Sequence, residues 1–419
     1  MTEDEILKRY GRKGKLTHLP TKHEARLEVL AWVATPFQPG VTYREAEVND
    51  LLRGQEIDHV TLRRYLVDYG FLTRAAGIYQ LAPNPPWPSI SPHEDMPATR
   101  NETQNDRGAM QENTSPAQSA ADRFRGCLLG LAVGDAVGTA VEFKSRGSFT
   151  PLQDMVGGGA FNLPPGAWTD DTSMALCLAT SLVEQGGFDA RDQMERYVRW
   201  YQEGYLSSIG RCFDIGNATR AALARFERSG DPFSGSDDPY SAGNGSIMRL
   251  APVPMYYAGD AQVALAYAVE SSRTTHASPE CLDACRLLAA ILLAALAGAD
   301  KQTVLFGPHP PLAAGSALSP KVQAIADGSY RDKEIGEIRG SGYVVQSLEA
   351  ALWCFRRTDS FRAAILLAAN LGDDADTTAA VCGQVAGAFY GQGGIPGHWL
   401  KKLVMGEEIR NLADRLMTR

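Results

Sequence analysis

A chain of 419 residues with 44% apolar and 21% charged side chains reads as two or three folded domains, not as a disordered or fibrous protein. The longest apolar run, residues 287–297, is broken by Gly298 and Asp300, short of the roughly 20 residues of a membrane span. The acidic start Met1-Thr2-Glu3-Asp4-Glu5 lacks an apolar signal region, and the seven cysteines form no CxxC pair. These features predict a cytoplasmic protein with free thiols and no membrane partner. The net charge of −8 lies mainly in residues 121–419, with 27 cations against 33 acids, whereas residues 1–82 carry 12 against 11. That excess of acid excludes an electrostatically driven nucleic-acid surface on the larger part.

Residues 8–22 hold six cations and no acid and read as a flexible, solvated N-terminus, with a nucleic-acid contact as the sharper alternative. In residues 22–34, Leu27, Leu30, Ala31 and Ala34 recur at helical spacing. Thr42 stands three residues before Glu45, a capping-box spacing that predicts a helix to about Leu52. A third helix over residues 58–69 is stopped by Gly70. Phe71-Leu72-Thr73, Ala76-Gly77 and residues 78–81 then predict a hairpin. Three helices and a hairpin make a winged-helix-like α+β module, with Arg63 and Arg64 on its recognition helix. Residues 41–49 and 59–72 also resemble an uncharacterised bacterial domain family often attached to transcriptional regulators. The resemblance implies a nucleic-acid or protein partner for residues 1–82.

Residues 83–120 hold seven of the 23 prolines and few apolar side chains, so they read as a disordered, Pro-rich linker. Beyond it, residues 128–141, 173–184, 192–202, 217–228, 261–273, 280–296, 344–355, 361–370, 377–390 and 407–417 suit helices. They are filled with Ala, Leu, Gly and Cys, which predicts close helix packing in one all-α domain over residues 121–419. Residues 305–330, with four prolines, read as irregular.

Two acidic segments each enter an apolar helix: Trp168-Thr169-Asp170-Asp171-Thr172-Ser173-Met174 and Asn370-Leu371-Gly372-Asp373-Asp374-Ala375-Asp376-Thr377-Thr378. Either alone is a helix cap, because Asp and Thr satisfy the first free N–H groups and complement the helix dipole. Together, five acids and adjacent hydroxyls exceed what capping needs and match the hard ligands of Mg²⁺, Mn²⁺ or Ca²⁺. Two glycine-rich segments accompany them, residues 130–138 followed by Glu142, and residues 241–249. Small residues at alternate positions there would let backbone N–H groups approach a phosphate. No cysteine sits in a polar, basic setting with a sequence-adjacent His, and no Gly-x-Ser-x-Gly elbow is present, so cysteine and serine nucleophiles are set aside.

Residues 125–142, 168–174, 213–220, 242–252, 275–276, 340–343, 348–353 and 370–390, in that order, resemble the ADP-ribosylglycohydrolase family, which includes the dinitrogenase reductase-activating glycohydrolases. The resemblance implies a compact multi-helix catalytic domain that removes ADP-ribose from a modified macromolecule, with two Mg²⁺ and Mn²⁺ as the alternative ion. Carried onto this sequence, the metal ligands are Thr169, Asp170, Asp171, Asp374, Asp376 and Thr377. Asp373, where many relatives have glycine, is left outside the ligand set. Glu142 matches the family's mobile acid and Asp214 a carboxylate proposed as base. Gly216, Ser241, Gly243, Asn244, Gly245, Ser246, Met248 and His276 match the substrate-holding positions. Without the resemblance Glu142 would be a loop acid, Asp214 a helix cap and His276 a satisfied histidine. Two other functions stay open at this point: hydrolysis of another ADP-ribose derivative, such as an O-acyl or nucleic-acid adduct, and ADP-ribose sensing through the N-terminal module.

Overall fold

The computed structural model describes residues 3–82, except 13, 14, 18, 21, 22, 56, 58, 76 and 77, and residues 119–417, except 310, 311 and 313–316. The chain divides into two compact units, Met1–Ser115 and Pro116–Arg419. The linker read over residues 83–120 lies outside the described residues except at its end, where Ser119 and Ala120 already open a helix.

The first unit contains α1 (Glu3–Tyr10), β1 (Gly11–Arg12), β2 (Lys15–Leu16), α2 (His23–Val33), β3 (Thr42–Arg44), α3 (Glu45–Leu52), α4 (His59–Asp68), β4 (Leu72–Ala75) and β5 (Ile78–Leu81). Strand β5 lies between β3 and β4 and pairs antiparallel with both. The sequence reading needs three corrections here. The described N-terminal residues are folded: Ile6 of α1 and Leu16 of β2 are fully buried with Val29, Leu30, Leu62, Leu66 and Phe71. Thr42 does not open α3 but sits in β3 opposite Gln80. The helix starts two residues later, where the Arg44 N–H donates to Glu47 Oε2 at 2.6 Å. Arg63 is also not displayed on an outer face. It is buried, donates to Asn49 Oδ1 and lies 5.6 Å from the Tyr79 ring centroid. The side chain of Arg64 lies outside the described ones.

The second unit is built from α5 (Ala120–Gly138), α6 (Asp170–Gln185), α7 (Ala190–Glu203), α8 (Asn217–Ser229), α9 (Pro252–Tyr256), α10 (Ala261–Arg273), α11 (Pro279–Leu296), α12 (Lys301–Phe306), α13 (Pro320–Ala326), α14 (Val344–Arg356), α15 (Phe361–Ala369), α16 (Ala375–Tyr390), α17 (Gly397–Lys402) and α18 (Gly406–Met417). All ten predicted helices are present. The short helices α9, α12, α13 and α17 were not read from the sequence, and α12 and α13 enter the stretch read as irregular. Each has one or two turns, too few for a periodic signal; α9 and α13 begin on Pro252 and Pro320, whose fixed φ suits a first helical position.

Helices α5 and α16 form the centre of this unit. Gly126, Gly130, Gly134 and Gly138 recur every four residues along α5, and a Cβ on any of them would come within 3.0 Å of a backbone atom of Gly387, Gly383, Ala379 or Ala375, respectively. The pairing runs backward along α16, so the helices are antiparallel with their backbones in contact. This corrects the reading of residues 130–138 as a phosphate loop: Gly130, Gly134 and Gly138 are helical and buried, and they allow two helices to touch. Around the pair lies one apolar cluster running from Phe124 to Leu416.

Candidate active site

The antiparallel contact sets the geometry of the site. It brings the C-terminal end of α5, and the turn carrying Glu142, beside the N-terminus of α16, where Asp374, Asp376 and Thr377 lie. The N-terminus of α6 reaches the same place through Asp135, a fully buried carboxylate of α5. Its Oδ1 accepts from the Thr169 N–H at 2.9 Å and its Oδ2 from the Thr172 N–H at 3.0 Å; both hydroxyls also bond it, at 3.0 and 2.6 Å. Asp135 thus caps α6 from another helix and holds Asp170 and Asp171 in position. The sequence reading passed over it, although a lone acid inside an apolar helical run is a signal that a buried charge has partners.

The two acidic loops predicted to share a site do meet. Thr377 Oγ1 donates to Asp171 Oδ2 at 3.3 Å, and Thr169 Oγ1 lies 3.2 Å from Asp376 Oδ2. Asp374 Oδ2 accepts from Asn244 Nδ2 at 2.9 Å, which ties the loop after Ser241 to the acids. Carboxylate oxygens of Glu142, Asp214 and Asp376 lie within 4.8 Å of one another. Asp214 does not cap α8, whose N-cap is Gly216; it sits in a turn at φ 59°. Asp373 has φ 57°, a conformation that glycine takes freely and Asp tolerates. Its backbone exchanges two 2.8 Å hydrogen bonds with Phe143 and Lys144 and so fastens the Glu142 turn to the head of α16. Phe143, Phe161 and Phe213 form an edge-to-face row beside Glu142 and Asp214, with centroids 6.2 and 5.2 Å apart.

Burial raises the proton affinity of Glu142, Asp170, Asp171 and Asp376, and neighbouring acids raise it further, Asp214 foremost for Glu142 and Asp170. Among the described residues no Lys or Arg pairs with them, and Glu142 Oε2, Asp171 Oδ1 and Asp376 Oδ1 are buried without a hydrogen-bond partner. Buried acceptors of this kind are costly unless something completes them. Carboxylate and hydroxyl oxygens with unused lone pairs fit a hard divalent cation.

The candidate substrate positions divide into two groups. Gly243 and Gly245 are half-exposed beside the His276 ring; a Cβ on Gly245 would lie 2.6 Å from its Cε1, so the loop needs glycine there. His276 is buried, and its pKa is pushed down to about 3, first by burial and then by Arg249. The Ser241 hydroxyl donates back to Asp238 O at 2.7 Å. Ser246 and Met248 turn inward: the Ser246 hydroxyl bonds the Cys285 thiol, and Met248 packs with Met174, Tyr197 and Trp200. Their side chains therefore support the loop from behind, which leaves only their backbone to face the outer side of the loop.

Comparison with known proteins agrees with this arrangement. Residues 116–419 match the ADP-ribosylglycohydrolase family, and residues 15–81 match a family described as an uncharacterized protein conserved in bacteria. The chain is 48% identical over 306 residues to an ADP-ribosylarginine hydrolase Tri1 of Pseudomonas putida (strain GB-1), covering 73% of this chain and 81% of the relative. It is 33% identical over 310 residues to an ADP-ribosyl-(dinitrogen reductase) glycohydrolase of Rhodospirillum rubrum, covering 71% and 97%. A solved structure described as an ADP-ribosylglycohydrolase-related protein complex superimposes with a TM-score of 0.63 at 45% identity, over 71% of this chain and 98% of that one. With the acid-lined end of the α5–α16 pair at its centre, the chain belongs to the ADP-ribosylglycohydrolase family.

Proposed function

We propose that the larger unit hydrolyses the bond between ADP-ribose and an arginine guanidinium of a modified protein. The observation that carries this reading is the set of buried, unpartnered carboxylate oxygens where α5, α6 and α16 converge. The similarity to an ADP-ribosylarginine hydrolase supports the choice of acceptor. Thr169, Asp170, Asp171, Asp374, Asp376 and Thr377 would hold two Mg²⁺, or Mn²⁺ in its place. Bound there, the ions would orient the ribose hydroxyls and lower the pKa of water. Asn244 holds Asp374 from the substrate side, and Asp135 holds α6 from the protein side, so the ligand set is positioned before any ion arrives. The N–H of half-exposed Gly245 would be offered to the ribose or diphosphate, while the Gly243 N–H and the carbonyls of Gly243 and Gly245 are held by Ser241 O, the Cys281 thiol and Arg249 and so fix the shape of the loop. Glu142, whose proton affinity is raised by burial and by the neighbouring acids, is suited to carry a proton and pass it to the leaving guanidine. Asp214 lies close enough to Glu142 to receive or return a proton.

We read residues 1–82 as a separate winged-helix-like module that brings the hydrolase to a nucleic-acid or protein partner. The order helix, strand, two helices and hairpin supports this. The test of the hydrolase reading is incubation with arginine-, serine- and nucleic-acid-linked ADP-ribose, in Mg²⁺ and in EDTA. ADP-ribose release from the arginine conjugate, lost in EDTA, is expected; release from none in Mg²⁺ overturns the reading.

A further inference from the structure

His276 meets the rest of the protein through an unusual neighbour. Arg249 follows the Ser241–Met248 loop and is about 1% exposed, yet among the described residues no carboxylate pairs with it. Its guanidinium faces oxygen acceptors and a ring: Gly245 O at 3.1 Å, Ser271 O at 3.4 Å, Thr274 Oγ1 at 3.5 Å, Thr275 Oγ1 at 2.7 Å and the Tyr197 centroid at 4.7 Å. A guanidinium only donates, so the shortest of these bonds occupies Thr275 Oγ1 as an acceptor. The hydroxyl proton of Thr275 must then point elsewhere, and His276 Nδ1 lies 2.8 Å away. Both ends of the His276 backbone are fixed on Ser272, its N–H to Ser272 O and its carbonyl from Ser272 Oγ, each at 2.7 Å. The opposite ring nitrogen, Nε2, faces the glycines: a Cβ on Gly245 would stand 3.0 Å from it, and one on Gly243 3.4 Å.

We propose that Arg249 and Thr275 are positioning residues that keep Nδ1 of His276 unprotonated and its proton on Nε2, where it is offered to an oxygen of the ligand held by residues 241–248. The proposal rests on the reading of that loop as the substrate's. An imidazole held this way is a fixed donor to a hydroxyl or phosphate oxygen and not a base, since its free lone pair is spent on Thr275.

The tautomer is measured directly in the full-length protein by nitrogen-15 NMR of ring-labelled histidine, with His276→Gln to assign the signal. One Nε2–H species at neutral pH is expected, and an Nδ1–H species overturns the proposal irrespective of turnover. Thr275→Val keeps the shape and removes the relay. It is expected to mix the tautomers and to weaken ADP-ribose binding by calorimetry about tenfold, the scale of one hydrogen bond. In turnover the change should fall on KM more than on kcat. Thr275→Ser should restore both the NMR signature and the affinity to within about threefold. A valine variant with wild-type tautomer and affinity overturns the proposal. Failure to hydrolyse any conjugate would overturn the proposed function while the NMR signature still decided the tautomer.

Discussion

At the scale of single residues, the acids of the α5–α6–α16 convergence carry opposing effects on stability and activity. Burial and mutual repulsion raise the folded-state pKa of Glu142, Asp170, Asp171 and Asp376 above their unfolded values. A raised carboxyl favours folding fully only below the unfolded pKa, and the contribution is lost as pH climbs through the folded value. The cation-free protein is therefore expected to melt progressively lower as pH rises from about 4, the ordinary carboxyl value, toward 8, with saturating Mg²⁺ closing the gap. A thermal scan in EDTA that is flat across this range would refute it. If the proposed ion site is right, Asp170→Asn and Asp374→Asn are each expected to reduce turnover on the order of 100-fold or more while leaving the fold intact, because each removes an oxygen proposed to hold an ion. Calorimetry should show fewer bound ions. Full activity in both variants would mean that the acids only cap their helices. These acids were legible in the sequence because a cap needs one side chain and five were present. The partners of Asp135 and Arg249 were not, since they lie 34 and 26 positions away, although the lone Asp135 in an apolar run did mark a buried charge.

At the scale of elements, the contact of α5 with α16 decides whether the site exists. In an exposed helix Gly→Ala gains about 1 kcal/mol from propensity. At Gly134 the new Cβ would overlap the backbone of Ala379, and no side-chain rotation can relieve it. Gly134→Ala is thus expected to lower stability by about 2 kcal/mol despite the propensity gain, and to weaken Mg²⁺ binding by shifting the head of α16 against Glu142. Gly259→Ala, where a Cβ meets nothing within 4 Å, should stay within about 0.5 kcal/mol of wild type. Denaturant unfolding of the two variants separates the effects, and equal midpoints would refute the backbone-contact account. The four-residue period of the glycines was visible in the sequence. Their partner was not, because small residues serve a phosphate loop and a helix contact equally well.

At the scale of the whole molecule, the apolar cluster of the larger unit draws only on residues from Phe124 onward, as does every proposed site residue. Removing residues 1–115 is expected to leave hydrolysis of a small ADP-ribosylated guanidine within about twofold of the full chain, while activity on the native macromolecule falls. The cut belongs before Pro116, not after Ala120, because Ser119 Oγ accepts from the Asp122 N–H at 3.1 Å and caps α5. Losing that cap costs about 1 kcal/mol. Loss of activity on the small substrate after the cut at 115 would mean that the module contributes to the site. If the partner is a nucleic acid, binding should fall steeply with salt. Arg63→Ala should then act through stability, since its guanidinium is committed to Asn49 and Tyr79.

The amino-acid sequence by itself determined the helical character of residues 121–419, the positions of ten of its helices, the two acidic helix heads and the separate α+β module. These follow from periodicity and composition, which act over a few turns of chain. It did not determine where α3 begins, because the capping spacing at Thr42 was overruled by strand pairing with Gln80. Nor did it determine that Arg63, Ser246 and Met248 turn inward. Only the tertiary structure decided which glycines meet which backbone, and hence that the half-buried Asp214 joins the buried Glu142 and Asp376 in one carboxylate cluster. Side-chain direction and burial depend on contacts between segments far apart in the chain, and local sequence preference carries no record of them.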